Sequence, residues 1–147
     1  RGAEWPQVEA NSLRYFRNPD IACVGNLVLT AVNAPGIADF VRWVWANQIA
    51  NGISVSPVFR TDQLSVSVLH SRLRRQILEE LAGMDYPGTD AVSQNCQNIL
   101  RTVIDILKNT PPNPGKFPAF AQYIKQEDSA AKLSLVQAVP AWAPYFN

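Results

Sequence analysis

One histidine, one methionine and two cysteines are all that 147 residues supply of the side chains that most often do chemistry. A Ser–His–Asp system would have to use His70, and nothing like GxSxG is present to hold a nucleophile. A zinc or calcium site needs more His, Cys or clustered carboxylate than the chain offers. Cys23 and Cys96 make no CxxC, which excludes a zinc ribbon and a disulfide framework. Both cysteines stand in apolar surroundings and read as small core residues, with a reducing compartment as the default. The glycines form neither a P-loop nor a dinucleotide fingerprint. Charged residues make up only 17%, against ~25% in an average chain. The net charge of +1 gives no overall pull toward nucleic acid or a membrane. No apolar run approaches the ~20 residues of a membrane span, and no signal peptide, repeat or low-complexity segment is visible. The chain begins at Arg1 rather than Met, which reads as the ordered part of a longer polypeptide or a processed product. These absences point away from an enzyme, a cofactor, a metal centre and a membrane partner.

What is present is apolar surface and arginine. Hydrophobic residues reach 47%, enough for one domain with a real core. The organisation expected is an N-terminal arm (1–17), a helical domain (18–137) and an apolar C-terminal arm (138–147). The fold class is mainly α: a four-helix core, short C-terminal helices and a small two-stranded β ribbon.

The arm 1–17 shows no sustained period beyond one short helical turn. Asn18-Pro19-Asp20 reads as a helix start, with Ile21, Val24, Val28 and Val32 on one face to about Asn33. A second helix, about 36–50, ends at Asn51-Gly52 and buries Ile37, Phe40, Val41 and Val44. Trp43 points nearly opposite, toward another element, another subunit or solvent. Ile53–Ser56 and Leu64–Val68 alternate with period two and suggest an antiparallel ribbon. Residues 61–66 fit strand or helix. A helix from about Ser67 then carries Val66, Leu69, Leu73, Ile77, Leu81 and Met84 as a stripe, with His70 as a hydrogen-bonded residue at its boundary. Thr89 caps the cleanest amphipathic helix, about 90–109, whose core stripe is Val92, Cys96, Ile99, Val103 and Ile106. Thr110–Gly115 ends it. Two short helices follow, about 118–126 and 128–137. The tail VPAWAPYFN cannot stay helical through Pro140 and Pro144 and must pack on something.

Residues 1–75 hold eight basic and five acidic side chains, and residues 76–147 hold five and seven. All four lysines fall after residue 107, so the basic part of the first half is arginine apart from nothing else. Arginine suits bidentate phosphate contact. Arg72 and Arg75 share the face opposite the apolar stripe, with Arg74 to one side. With Arg60 and Arg101 they are the candidates for one modest phosphate groove, the alternative being a solvated face with Arg75–Glu79 pairing. Low charge and apolar ends also point to assembly, with Trp5, Trp43, Trp142, Tyr145 and Phe146 as candidate interface residues.

The element order then carries a resemblance. A capped helix (Asn18–Asn33), an Ala/Val/Trp helix (Gly36–Asn51), an ISVS…LSVSV ribbon around PVFRTDQ, a third helix and the long TDAVSQNCQNILRTVIDIL helix together resemble the four-helix coat proteins of rod-shaped plant RNA viruses. The family implies a self-polymerising subunit wound around single-stranded RNA, found in virions and the host cytoplasm. Thr89-Asp90 stands where that family has an arginine pair, so no site residue carries over. A retrovirus-like capsid domain is similar in length and in its Pro-rich loops. The expected function is a coat or nucleocapsid subunit that binds RNA non-specifically. The alternative is a cellular helical module that binds a protein segment in an apolar groove.

Overall fold

The computed structural model describes residues 4–58, 62–132 and 134–146. It is mainly α-helical with a small two-stranded sheet. Six α-helices are present among the described residues: α1 (Trp5–Phe16), α2 (Ile37–Ala46), α3 (Ser71–Ala82), α4 (Ala91–Asn109), α5 (Phe117–Ala131) and α6 (Leu135–Ala138). Strand β1 (Gly25–Leu29) pairs with β2 (Ile53–Pro57).

The sheet departs from expectation in both partner and direction. β1 and β2 run parallel, with Gly25 opposite Ile53 and Leu29 opposite Pro57, and α2 is the crossover between them. The predicted helix 18–33 does not form. Asn18 accepts from the Asp20 N–H at 2.9 Å, closing a turn where a helix start was read. The residues chosen as its buried face, Ile21, Val24 and Val28, are exposed. Leu29 and the half-buried Leu27 face inward, while Asn26 and Val28 face out, which is the period of a strand. The second alternating run is not a strand. Ser65 accepts from the Ser67 N–H at 3.2 Å, and the chain makes short 3-10 turns at Asp62–Leu64 and Val66–Val68.

The outer edge of β2 is held at its first residue. Gly25 donates to the Gly52 carbonyl and Val58 to the Leu29 carbonyl, so Ile53, Val55 and Pro57 point their backbone groups away from β1. Pro57 has no N–H to leave unpaired. The Ile53 N–H donates to Asn95 Oδ1 at 3.1 Å. Asn95, buried on α4, also donates to the carbonyls of Ile49 (3.0 Å) and Asn51 (2.8 Å). A buried amide with three good partners locks the sheet onto α4 at little cost.

α2 ends about four residues before the predicted stop. Gln48 takes a left-handed conformation at φ 55°, the Ile49 N–H reaches the Val44 carbonyl and the Gln48 N–H reaches that of Trp45. This is a Schellman closure with glutamine in the usual glycine seat, and buried Ile49 supplies its apolar contact.

α3 and α4 follow the predicted stripes. Val66, Leu69, Leu73, Ile77 and Leu81 are buried, as are Val92, Cys96, Ile99, Val103 and Leu107. Ile106 is only half-buried, and Leu107 takes its place in the core. Asp90, not Thr89, caps α4, accepting from the N–H groups of Val92 (3.0 Å) and Ser93 (2.9 Å). Gly88 before it sits at φ 142°, and a Cβ there would come within 2.7 Å of Ser93 Oγ and 2.8 Å of Asp90 Oδ2. Only glycine fits against this cap.

Both ends pack on the body of the chain. The N-terminal stretch is the 12-residue helix α1 lying on α2. Trp5 meets Trp43 edge to face at 6.2 Å, and Glu9 accepts from Trp43 Nε1 at 2.5 Å. At the other end the break near 126–128 is absent, and α5 runs on to a left-handed Lys132. The tail makes a 3-10 segment, Pro140–Tyr145, that brings Trp142 into the core at 0% exposure. Phe120 stands 5.0 Å from it, with Phe117, Tyr145 and Phe146 around the pair.

Candidate nucleic-acid and assembly surfaces

The three arginines of α3 divide their work. Arg74, 7% exposed, turns inward. Its guanidinium donates to the carbonyls of Val66 (2.6 Å), Leu107 (2.8 Å) and Thr110 (2.5 Å). It therefore ties the start of α3 to the end of α4, where unpaired carbonyls form the negative end of the helix. Burial lowers its pKa from the ordinary arginine value, which still leaves it charged at neutral pH. Arg74 is a structural strap.

Arg72 and Arg75 face solvent on the other side of α3, and Arg101 faces solvent on α4. None of the three forms an ion pair among the described residues. Arg42 is already engaged, donating to Asp39 at 2.7 Å and Glu80 at 2.8 Å. Arg60 lies outside the described residues. The geometry thus brings Arg72 and Arg75 together on one exposed face and leaves Arg101 on a different helix.

His70 precedes α3, and its Nδ1 accepts from the Arg72 N–H at 3.3 Å. Its ring lies 5.0 Å from that of Tyr145. The Cys96 thiol is pushed up to about 11, first by burial and then by the nearby negative charge of Asp90. It stays protonated at neutral pH and is a poor nucleophile there. Among the described residues no group of three or more His, Cys, Asp or Glu side chains could hold a metal ion. No helix among them is long and apolar enough to cross a membrane.

The residues picked for assembly fall in different places. Trp142 is sealed in its own chain, and Tyr145 and Phe146 are half-buried around it. Trp43 is half-buried against α1 and Phe40. Of the five, Trp5 alone is exposed. Among the described residues the exposed large apolar side chains are Trp5, Tyr15, Ile21, Val24 and Val28, and Val24 reaches 72%. Four of these escaped the sequence reading. Tyr15 was assigned to an arm, and the other three were assigned to a buried helix face.

A groove of about 730 Å³ opens beside α5 and α6. Val32, Leu64, Ile124 and Leu135 give it an apolar floor, and Glu127, Asp128 and Lys132 stand on its lining. Asp128 also accepts from the Leu135 N–H at 2.9 Å and so fixes the turn into α6. No sequence signal marked this groove, because it is made by segments about a hundred residues apart.

Strand β1 stands where the rod-virus pattern has its first helix. No protein-family model matches the chain, and no curated protein or solved structure matches it.

Proposed function

We propose that this protein is a self-assembling structural subunit, of the coat or nucleocapsid kind, that holds single-stranded RNA through phosphate contacts without reading its sequence. Its place is then the virion and the host cytoplasm. One observation carries the reading. The exposed large apolar side chains of the described residues all fall between Trp5 and Val28 in the chain. Large apolar side chains left exposed in this number support a surface that meets a partner. The exposed Arg72 and Arg75, which form no ion pair among the described residues, supply the phosphate contact. The groove beside α5 favours a second reading, a helical module that takes an apolar segment of another protein.

RNA binding separates the two. Log affinity should fall linearly with log salt, by about 0.7 per phosphate neutralised on a single strand. Arg72→Ala with Arg75→Ala should therefore reduce the slope by about 1.4, for every RNA sequence alike. An unchanged slope removes the pair from the site. A wild-type protein with no affinity for RNA at low salt leaves only the second reading.

A further inference from the structure

We infer that Asn51 is a site of self-modification: the Gly52 backbone nitrogen closes on the Asn51 side-chain carbon, and the products release the sheet from α4. The inference stands apart from the assembly reading and concerns the join that holds β2 in place.

Of the asparagines in the chain, Asn51 alone precedes glycine. Asn18 and Asn113 precede proline, which has no N–H. Asn95, Asn98 and Asn109 lie in α4 and are followed by N–H groups that donate along the helix. Gly52 is different. It is exposed, a Cβ placed on it would meet nothing within 4 Å, and its N–H makes no hydrogen bond among the described residues. With no side chain of its own it leaves the nitrogen open to the neighbouring carbon. The Asn51 side chain is half-buried and held by a single bond, Nδ2 donating to the Cys23 carbonyl at 3.2 Å. One bond at the long end of the usual range is a weak restraint on its rotation.

The chemistry balances with water alone. The Gly52 nitrogen loses its proton to solvent base and bonds to Asn51 Cγ. The Cγ–Nδ2 bond breaks, and Nδ2 takes a proton from solvent and leaves as ammonia. Water then opens the cyclic imide. Opening at Cγ gives aspartate on an unchanged main chain. Opening at the main-chain carbonyl carbon gives isoaspartate, in which the main chain runs through Cβ and Cγ and is one carbon longer.

The reaction sits inside a clamp. Asn95, 5% exposed, donates to the Asn51 carbonyl at 2.8 Å and accepts from the Ile53 N–H at 3.1 Å. The Gly25 N–H reaches the Gly52 carbonyl at 3.0 Å. These bonds grip the chain on both sides of the linkage that changes. An extra main-chain carbon there breaks their register and leaves part of a buried amide unsatisfied. In either product Nδ2 is gone, so the Cys23 carbonyl loses its donor.

Ageing the full, folded chain at mildly alkaline pH tests this, with peptide mapping by mass spectrometry. Asn51 should convert ahead of every other asparagine, and faster as pH rises, because the nitrogen attacks after losing its proton. Gly52→Ala should keep the Asn51 amide intact over the same period, and its added Cβ has open space. An Asn51 that keeps its amide in the folded wild-type chain overturns the inference, and conversion in urea alone shows that the fold shields the pair. Ion exchange separates the aged chain by its added negative charge. The isoaspartate form should unfold at lower urea than the fresh chain, with Asn51→Asp, whose main chain is unaltered, between them. An isoaspartate form with the midpoint of the fresh chain overturns the release of the sheet.

Discussion

Arg74→Ala should cost this protein about 3 kcal/mol, although it removes a side chain from what reads as a basic surface cluster. The guanidinium serves three carbonyls, those of Val66, Leu107 and Thr110. The contacts to Val66 and Leu107 are buried, and that to Thr110 is partly open. After truncation water can reach Thr110 and the Val66 carbonyl keeps the Leu69 N–H, while the Leu107 carbonyl loses its donor and the packing of the buried arginine stem is lost as well. Each orphaned buried acceptor costs about 1–3 kcal/mol. Relief from burying the guanidinium offsets part of this, since burial disfavours its charged form. A net loss of about 3 kcal/mol is a large share of the roughly 5–15 kcal/mol that holds a domain together. At this chain length it lowers the melting temperature by about 10 °C. Urea unfolding is the assay, with an unchanged slope and a lower midpoint expected. Arg74→Met keeps the apolar stem and should recover only the packing part of the loss. Arg72→Ala and Arg75→Ala, on the solvent side, should each stay within about 0.5 kcal/mol of wild type. An Arg74→Ala loss below about 1 kcal/mol would refute the strap and return this residue to the surface cluster.

Trp142→Ala should destabilise by about 3–5 kcal/mol, the usual cost of emptying a fully buried aromatic site, and deleting Val139–Asn147 should unfold the chain rather than only weaken its assembly. A deleted chain with wild-type thermal stability would make the tail the arm that composition suggested. The Asp90 carboxyl is held below its ordinary range, chiefly by the Ser93 hydroxyl and then by the Ser93 N–H. Its capping contribution is therefore complete above the ordinary carboxylate pKa of about 3.9 and is lost as pH falls through the lower folded value. The urea midpoints of wild type and Asp90→Ala should differ at neutral pH and draw together as the pH falls below the ordinary carboxylate range; a gap independent of pH would contradict the cap.

The parts of this fold that could be read from sequence are those whose pattern and surroundings agree. α3 and α4 carry helical stripes strong enough to survive any packing, and the misplacement of the α4 cap by one residue reflects two neighbouring capping types, Thr89 and Asp90. β1 was misread because Ile21, Val24 and Val28 also match helical spacing, while Asn18-Pro19-Asp20 serves a turn as well as a helix start. Nothing local distinguishes the two; the pairing with β2 across α2 decides. The Leu64–Val68 alternation failed because Ser65 bonds its own backbone and diverts the chain into a 3-10 turn. The path of the tail has a tertiary cause. Its prolines exclude an α-helix but permit the 3-10 path that buries Trp142. At the candidate surfaces, Arg72 and Arg75 were legible as the face opposite the α3 stripe. The inward turn of Arg74 was not, since it depends on the end of α4 arriving beside it. Trp43 was legible as a contact residue, and its neighbour is α1 of the same chain.

Negative-stain microscopy of the purified wild-type chain, alone and with single-stranded RNA at low salt, tests the central claim most directly. Self-assembly through the exposed apolar residues between Trp5 and Val28, joined to phosphate contact at Arg72 and Arg75, predicts polymers that lengthen when RNA is present and shorten as salt rises. Single particles of one subunit, unchanged by concentration and by RNA, would contradict it.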